Sequence, residues 1–296
     1  MSGSAAFDAW SAGNSYEHYM GRWSRLVATK FVAWLSPPEQ AAWLEIGCGT
    51  GALTAAVLSA AAPRSILSID PSADFVAHAR KAIGDGRVRF EVADALKLPA
   101  EPASIDVVTS GLVLNFVPDR PAALAEMQRV LKPGGLLSFY VWDYPGGGIG
   151  FIRQFWQAAI TIDPAAAELG EGKRFPFCTR EGLLALCQEA GLRDIAIAPM
   201  EIETRFADFE AFWQPFTLGA GPAPGYCMSL NEYQRAKLKA RLAERLGSTE
   251  PIELWRAPGW SGQTGKAERR HTSGRLAKQA GLFAGNELQR AGDARA

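Results

Sequence analysis

Between residues 42 and 142, short apolar runs alternate with longer stretches whose apolar positions recur every three or four residues. Short unbroken apolar runs bounded by turn residues predict strands buried on both faces, whereas the longer spacing predicts amphipathic helices. The predicted strands are Ala42 to Ile46, Ile66 to Asp70, Val88 to Val92, Ile105 to Thr109 and Leu136 to Trp142. The predicted helices between them are Leu53 to Ala61, Ser72 to Ile83 and Asp119 to Leu131. In the last, Asp119 stands at a cap position and Leu124, Met127 and Leu131 share a face. Strands joined by helical crossovers predict an α/β fold with a doubly wound, mostly parallel sheet.

The flanks read differently. Before residue 40 the pattern predicts a helical cover with Trp23, Leu26, Val27 and Phe31 on one stripe. After Tyr144, the run Gly146-Gly147-Gly148 marks a loop. Beyond it come helical stretches rich in aromatics, including Phe151, Phe155, Trp156, Phe206, Phe209, Phe212, Trp213 and Phe216. These predict helical insertions on the substrate side of the sheet, with the aromatics forming core or lining an apolar pocket. Further strands are expected from Asp194 to Ala198 and from Ile252 onward. The expected division is a helical cover over 1–40, a core over 41–145, a substrate-side region with the remaining strands over 146–254, and a tail over 255–296.

Composition narrows the function classes. With 296 residues, 48% hydrophobic and 21% charged, the chain is long enough for a substantial core and too apolar for bulk disorder. The formal net charge of zero hides an asymmetry: after Trp255, eight Lys or Arg face three Asp or Glu, a net of +5, which leaves the rest mildly acidic. An acidic body argues against a nucleic-acid partner. No run approaches the roughly 20 apolar residues of a membrane span, and the start lacks a secretory pattern, so a cytoplasmic location is expected. Cys48, Cys178, Cys187 and Cys227 show no Cys-x-x-Cys pairing, and three histidines accompany them. Neither a metal site nor a disulfide framework is expected.

The chemistry concentrates at Leu44-Glu45-Ile46-Gly47-Cys48-Gly49-Thr50-Gly51, the end of the first predicted strand and the opening of a helix. Glycines there let the main chain turn sharply and approach a ligand, and the helix start offers free N–H donors. Asp70 ends the second strand 19 residues after Gly51, where a carboxylate can accept both hydroxyls of a ribose. Asp94, in Ala93-Asp94-Ala95 after the third strand, can receive an exocyclic adenine amine. Gly47-x-Gly49-x-x-Ala52 also fits a dinucleotide fingerprint. Glu45 separates the two readings: its charge repels a pyrophosphate and suits the amino and sulfonium groups of S-adenosylmethionine.

These residues, together with Leu98-Pro99, Asp106-Val107-Val108 and Leu131-Lys132-Pro133-Gly134-Gly135, resemble the class I S-adenosylmethionine-dependent methyltransferases, in the branch of the ubiquinone/menaquinone methyltransferases and the type 11 methyltransferase domain. The resemblance covers about residues 42 to 142 in order and spacing. It implies a Rossmann-like fold and S-adenosyl-L-methionine as cofactor. Glu45, Gly47, Gly49 and Gly51 would form the cofactor loop, Asp70 would hold the ribose, Asp94 and Ala95 the adenine, and Gly111, within Ser110 to Leu112, would back the methionine moiety. Arg22 would pair with the cofactor carboxylate and Tyr19 would cover it. The relatives continue past the position of Leu254 with an apolar strand, and one set of codons for residues 255 to 263 encodes such a strand in a shifted frame. Residues 255–296 are therefore expected to be a frameshifted or disordered tail.

Methyl transfer from a sulfonium is an in-line displacement that needs a positioned nucleophile and exclusion of water. A base is optional; Asp143, at the end of the fifth strand beside Trp142 and Tyr144, is the catalytic candidate. The expected partner is a small-molecule acceptor, with O-, N- or C-methylation left open. An NAD(P)-dependent oxidoreductase and a non-catalytic cofactor-binding protein remain as alternatives.

Overall fold

A computed structural model describes residues 16–219, 221–247 and 252–265, the last by main chain alone beyond Ile252. Its strands are β1 (Ala42–Ile46), β2 (Ser65–Asp70), β3 (Val88–Val92), β4 (Ile105–Gly111), β5 (Leu131–Trp142), β6 (Arg193–Phe206) and β7 (Ile252–Gly265). They form one sheet in the order β3-β2-β1-β4-β5-β7-β6. The first five are parallel, and β7 runs antiparallel to both of its neighbours.

Helices α1 (Arg22–Leu35), α2 (Ala52–Ala60), α3 (Ala73–Ala82) and α4 (Arg120–Val130) cover the parallel half. Because both faces are covered, the inner strands read as unbroken apolar runs, and every residue of β1 is buried. Successive side chains still point to opposite faces: Trp43 joins the core beneath α1 and α2, and Leu44 the core beneath α4. Asp119 caps α4 as expected, accepting a hydrogen bond from Ala122 N at 3.0 Å.

In α1, Trp23, Val27, Phe31 and Leu35 are buried, but Leu26 is 48% exposed. At 100° per residue, the stripe running through Ser24, Val27, Ala28 and Phe31 leaves Leu26 on the opposite side of the helix.

The substrate-side region contributes α5 (Gly150–Ile160), α6 (Arg180–Glu189), α7 (Phe209–Trp213), α8 (Pro222–Ser229) and α9 (Glu232–Leu246). Its aromatics pack on one another as core. Phe155 stacks on Phe216 with centroids 4.5 Å apart, and Phe151 meets Phe206 edge-on at 5.7 Å.

The last strand corrects one expectation. The strand that begins at Ile252 does not stop at Leu254; its main chain continues to Gly265, between β5 and β6. The expected stop rests on the loss of apolar alternation after Leu254. Ladder hydrogen bonds, however, are made by the main chain, so a segment lying between two strand edges can pair without apolar alternation, although Pro258 within it has no N–H to donate. The remainder of the expected tail, from residue 266, lies outside the described residues.

Phe155 is fully buried and joins α5 to the aromatic cluster. Phe155→Ala is expected to cost about 3–5 kcal/mol of folding stability through the cavity it leaves, read by urea unfolding of the purified chain.

Candidate functional site

The order of the strands reverses between β1 and β4, whose register pairs Ile46 with Ser110. At such a reversal the loops following adjacent strands diverge to opposite faces and leave a crevice at the carboxyl ends. A cavity of about 330 Å³ lies there. The loops after β1, β2, β4 and β5 border it, and Tyr16, Tyr19 and Met20 of the turn leading into α1 close it.

The glycine loop is held by β2. Gly47 N and Cys48 N both donate to Ile69 O, at 2.8 and 2.9 Å. Gly47 has φ +72°, and a Cβ on it would overlap Val113 Cγ2 at 2.2 Å, so no other residue fits there. Gly49 has φ +52°, and a Cβ on it would meet nothing within 4 Å. Its main chain therefore faces open cavity, and the neighbouring Thr50 hydroxyl is buried with no hydrogen-bond partner. Both features suit a ligand lying against main chain.

Asp70 is the knot of this arrangement. Its Oδ2 accepts from Gly49 N at 3.0 Å and its Oδ1 from Ser72 N at 2.9 Å. Each oxygen keeps a second lone pair, so a diol can still donate to it. Burial raises the Asp70 pKa, partly opposed by these two main-chain bonds.

Glu45 also lines the cavity but is itself buried. Its Oε2 accepts from the hydroxyls of Thr54 and Ser68, the latter at 3.0 Å. Burial pushes its pKa up to about 7, with the two hydroxyls opposing the shift. Gly111 borders the cavity, and a Cβ there would lie 2.6 Å from Tyr140 Oη. The next residue, Leu112, adopts φ +63°, a left-handed conformation that a branched residue holds only when its surroundings impose it.

Of the expected site residues, Tyr19, Glu45, Gly47, Gly49, Asp70 and Gly111 are brought together around the cavity. Gly51 is not; with φ +92° it caps the amino end of α2 and faces Ile83. Nor is Arg22, whose guanidinium lies 4.1 Å from the Trp23 ring centroid and 4.6 Å from that of Phe206. Its Nε is buried, and stacking on the two buried rings holds the cation there. Asp94 closes its own turn by accepting from Leu96 N at 2.8 Å, and Ala95 packs into the core. Asp143 likewise accepts from Gly146 N at 2.8 Å and does not border the cavity. An aspartate followed by a glycine-rich turn finds near main-chain donors in that turn, which here engage one of its oxygens.

Sequence reasoning missed Tyr16, Phe75 and Glu171 as lining residues. Tyr16 packs edge-on against Phe75 at 5.7 Å and shares a 2.7 Å hydrogen bond with Ser24 Oγ. Glu171 opens a single helical turn, Glu171–Arg174, and carries no local motif that would single it out.

Comparison with known proteins agrees with this geometry. A family profile described as methyltransferase domain matches residues 44–139. The chain is 30% identical over 184 residues to the ubiquinone/menaquinone biosynthesis C-methyltransferase of Desulfotalea psychrophila, covering 59% of this chain and 73% of that protein. It is 29% identical over 179 residues to the 2-phytyl-1,4-naphtoquinone methyltransferase of Thermosynechococcus vestitus, covering 57% and 80%. In fold it is similar to the phosphoethanolamine N-methyltransferase 2 of Haemonchus contortus, with a TM-score of 0.55 at 17% identity over 86% of this chain and 57% of that one.

The fold is thus that of a Rossmann-like methyltransferase. The chain belongs to the S-adenosylmethionine-dependent methyltransferase family and is ubiquinone/menaquinone methyltransferase-like within it. It is an enzyme of methyl transfer to a small-molecule acceptor.

A carboxyl whose pKa is raised on folding stabilises the fold when protonated, and that contribution is lost as pH rises through its folded value. Relative to Glu45→Gln, the wild type is therefore expected to lose on the order of 3 kcal/mol of stability between pH 4.5 and about 7, with no further change above that range. Denaturant unfolding of both proteins across this range provides the check.

Proposed function

We propose that S-adenosyl-L-methionine lies across the ends of β1, β2 and β4, with the acceptor beside it under Tyr19 and Tyr144. The observation that carries this is the pairing of Asp70 with Gly49: one carboxylate holds the open loop in place and keeps lone pairs for a ribose. The Thr50 hydroxyl and the bare face of Gly49 suit the methionine part. Glu45 sets the sign of the local charge, and Pro71 and Phe75 flank the base beyond the ribose. When bound, this cofactor supplies an electrophilic methyl group on a good leaving group.

The chain's own residues do the rest. The turn before α1 closes the crevice with buried Tyr19 and Met20, which excludes water and holds the acceptor near the donor. Among the lining residues there are three carboxylates, Glu45, Asp70 and Glu171, and no Lys, Arg or His. A dinucleotide would bring a pyrophosphate into this acidic space without a lining cation to meet it, which disfavours the oxidoreductase alternative. We divide the chain into the cover over 1–40, the cofactor-binding core over 41–145 and the substrate-side region after it. No described helix is long and apolar enough to cross a membrane. All four cysteines are free and buried, which fits a reducing compartment, and we place the protein in the cytoplasm on that ground.

Asp70→Ala is expected to weaken S-adenosylhomocysteine binding by about 10- to 100-fold, the worth of a charged hydrogen bond plus the loosened loop, as read by calorimetry. Unchanged affinity would refute the placement. A cationic ligand beside Glu45 favours its ionised form, so S-adenosylmethionine affinity is expected to rise with pH up to about 7 and then level off. In Glu45→Gln that slope should vanish.

A further inference from the structure

Tyr140 borders the cavity from β5 and keeps only 2% of its surface exposed. Its ring packs on Phe31 of α1, with centroids 4.6 Å apart. Its register partner on β4 is Gly111, where a Cβ would lie 2.6 Å from Tyr140 Oη and 2.7 Å from its Cζ. The far end of the phenol thus crosses the bare main chain of Gly111, in space that any other residue at 111 would fill. That direction runs from β5 back toward β4 and β1. Among the described residues no group hydrogen-bonds this hydroxyl.

Burial first, and then Glu45 and Tyr16, push the Tyr140 hydroxyl well above the usual tyrosine range. The phenol therefore stays protonated, with lone pairs to offer as well as a proton. Glu45 is held by the hydroxyls of Thr54 and Ser68, and among the described residues no cation acts on Glu45 or on Tyr140. A buried hydroxyl without a partner is costly, and a ligand group that meets it removes the cost. A carboxylate set against Oη would approach Glu45 as well. An ammonium suits both, because it brings several N–H donors and the Oη lone pairs accept one whether or not Glu45 is ionised.

Building on the cofactor placement proposed above, we infer that Tyr140 is a cofactor-binding residue whose hydroxyl accepts a hydrogen bond from the α-ammonium group of the methionine end, beside Glu45. The sulfonium carries no N–H or O–H and cannot fill this role. On this assignment residue 111 must be glycine because the phenol that meets the ammonium passes over it. Anchoring the ammonium from β5 also limits the swing of the short chain that carries the sulfonium, so that the methyl group is presented to the acceptor from one direction.

The test titrates the full chain by calorimetry with S-adenosylhomocysteine, with its deaminated analogue, which keeps the carboxylate, and with methylthioadenosine, which lacks the amino-acid end. The wild type is expected to bind S-adenosylhomocysteine about tenfold or more tighter than the deaminated analogue. Tyr140→Phe keeps the ring on Phe31 and removes only the oxygen. It is expected to weaken S-adenosylhomocysteine by about tenfold, the size of one hydrogen bond to a charged group, while the other two ligands stay within about twofold of their wild-type affinities. Unchanged S-adenosylhomocysteine affinity in Tyr140→Phe overturns the inference. So does an equal loss for the deaminated analogue, which would assign the hydroxyl to the carboxylate or to packing of the wall. A loss seen for S-adenosylmethionine alone, or a wild type that binds the deaminated analogue as tightly as S-adenosylhomocysteine, overturns it as well. Failure of the wild type to bind either S-adenosylhomocysteine or methylthioadenosine would instead overturn the cofactor placement.

Discussion

The hydrogen bonds from Gly49 N and Ser72 N to the two oxygens of Asp70 hold the site together. They join the loop after β1 to the start of α3, the two segments that diverge from neighbouring parallel strands. The register that sets Ile46 beside Ile69 brings these strand ends level, and the carboxylate then satisfies main-chain donors that would otherwise face the crevice unpaired. A single residue at the tip of β2 thus determines the shape of the loop and offers hydrogen-bond acceptors to whatever lies on it.

The electrostatics of the cavity follow from what the fold leaves out of it. Arg22 is drawn away by the rings of Trp23 and Phe206, while Arg174, over Phe175, stays outside the lining but still acts electrostatically on Tyr144. What remains along the wall is acidic, and the walls are apolar enough that each charge is felt at short range. Glu45 shows the consequence most clearly. Two hydroxyl donors do not suffice to offset its burial, so its proton is held to about pH 7. The same imbalance would be relieved by a cation placed in the cavity.

The aromatic wealth of the substrate-side region serves as core, the first of the two uses expected of it. Phe151, Phe155, Phe206, Phe212 and Phe216 are buried against one another, in edge-on and stacked contacts between 4.5 and 6.2 Å. They anchor α5 and α7 to the sheet and support Tyr19 at their inner margin, where it leans edge-on against Phe151 and Phe216. Trp156, stacked edge-on against Phe155, holds Glu171 in the same way. This side of the cavity is therefore built by residues behind its wall, which keep the few polar groups in place.

What the sequence by itself determined is the parallel half of the sheet and the glycine-loop side of the cavity. Unbroken apolar runs, helical periodicity and the glycines of Gly47 to Gly51 act locally, and local steric and hydrogen-bonding rules are readable from neighbours in the chain. Glu45, Gly47, Gly49 and Asp70 were legible for that reason. The tertiary structure alone decided where long or flexible carboxylates and guanidinium groups would point: Asp94 and Asp143 into their own turns, Arg22 onto aromatic rings, and Glu171 from a motif-free turn onto the cavity wall. It also decided the course of β7, whose pairing depends on the edges of β5 and β6, both distant along the chain. Such outcomes turn on the nearest unsatisfied partner in space, and that partner is known only once distant segments have packed.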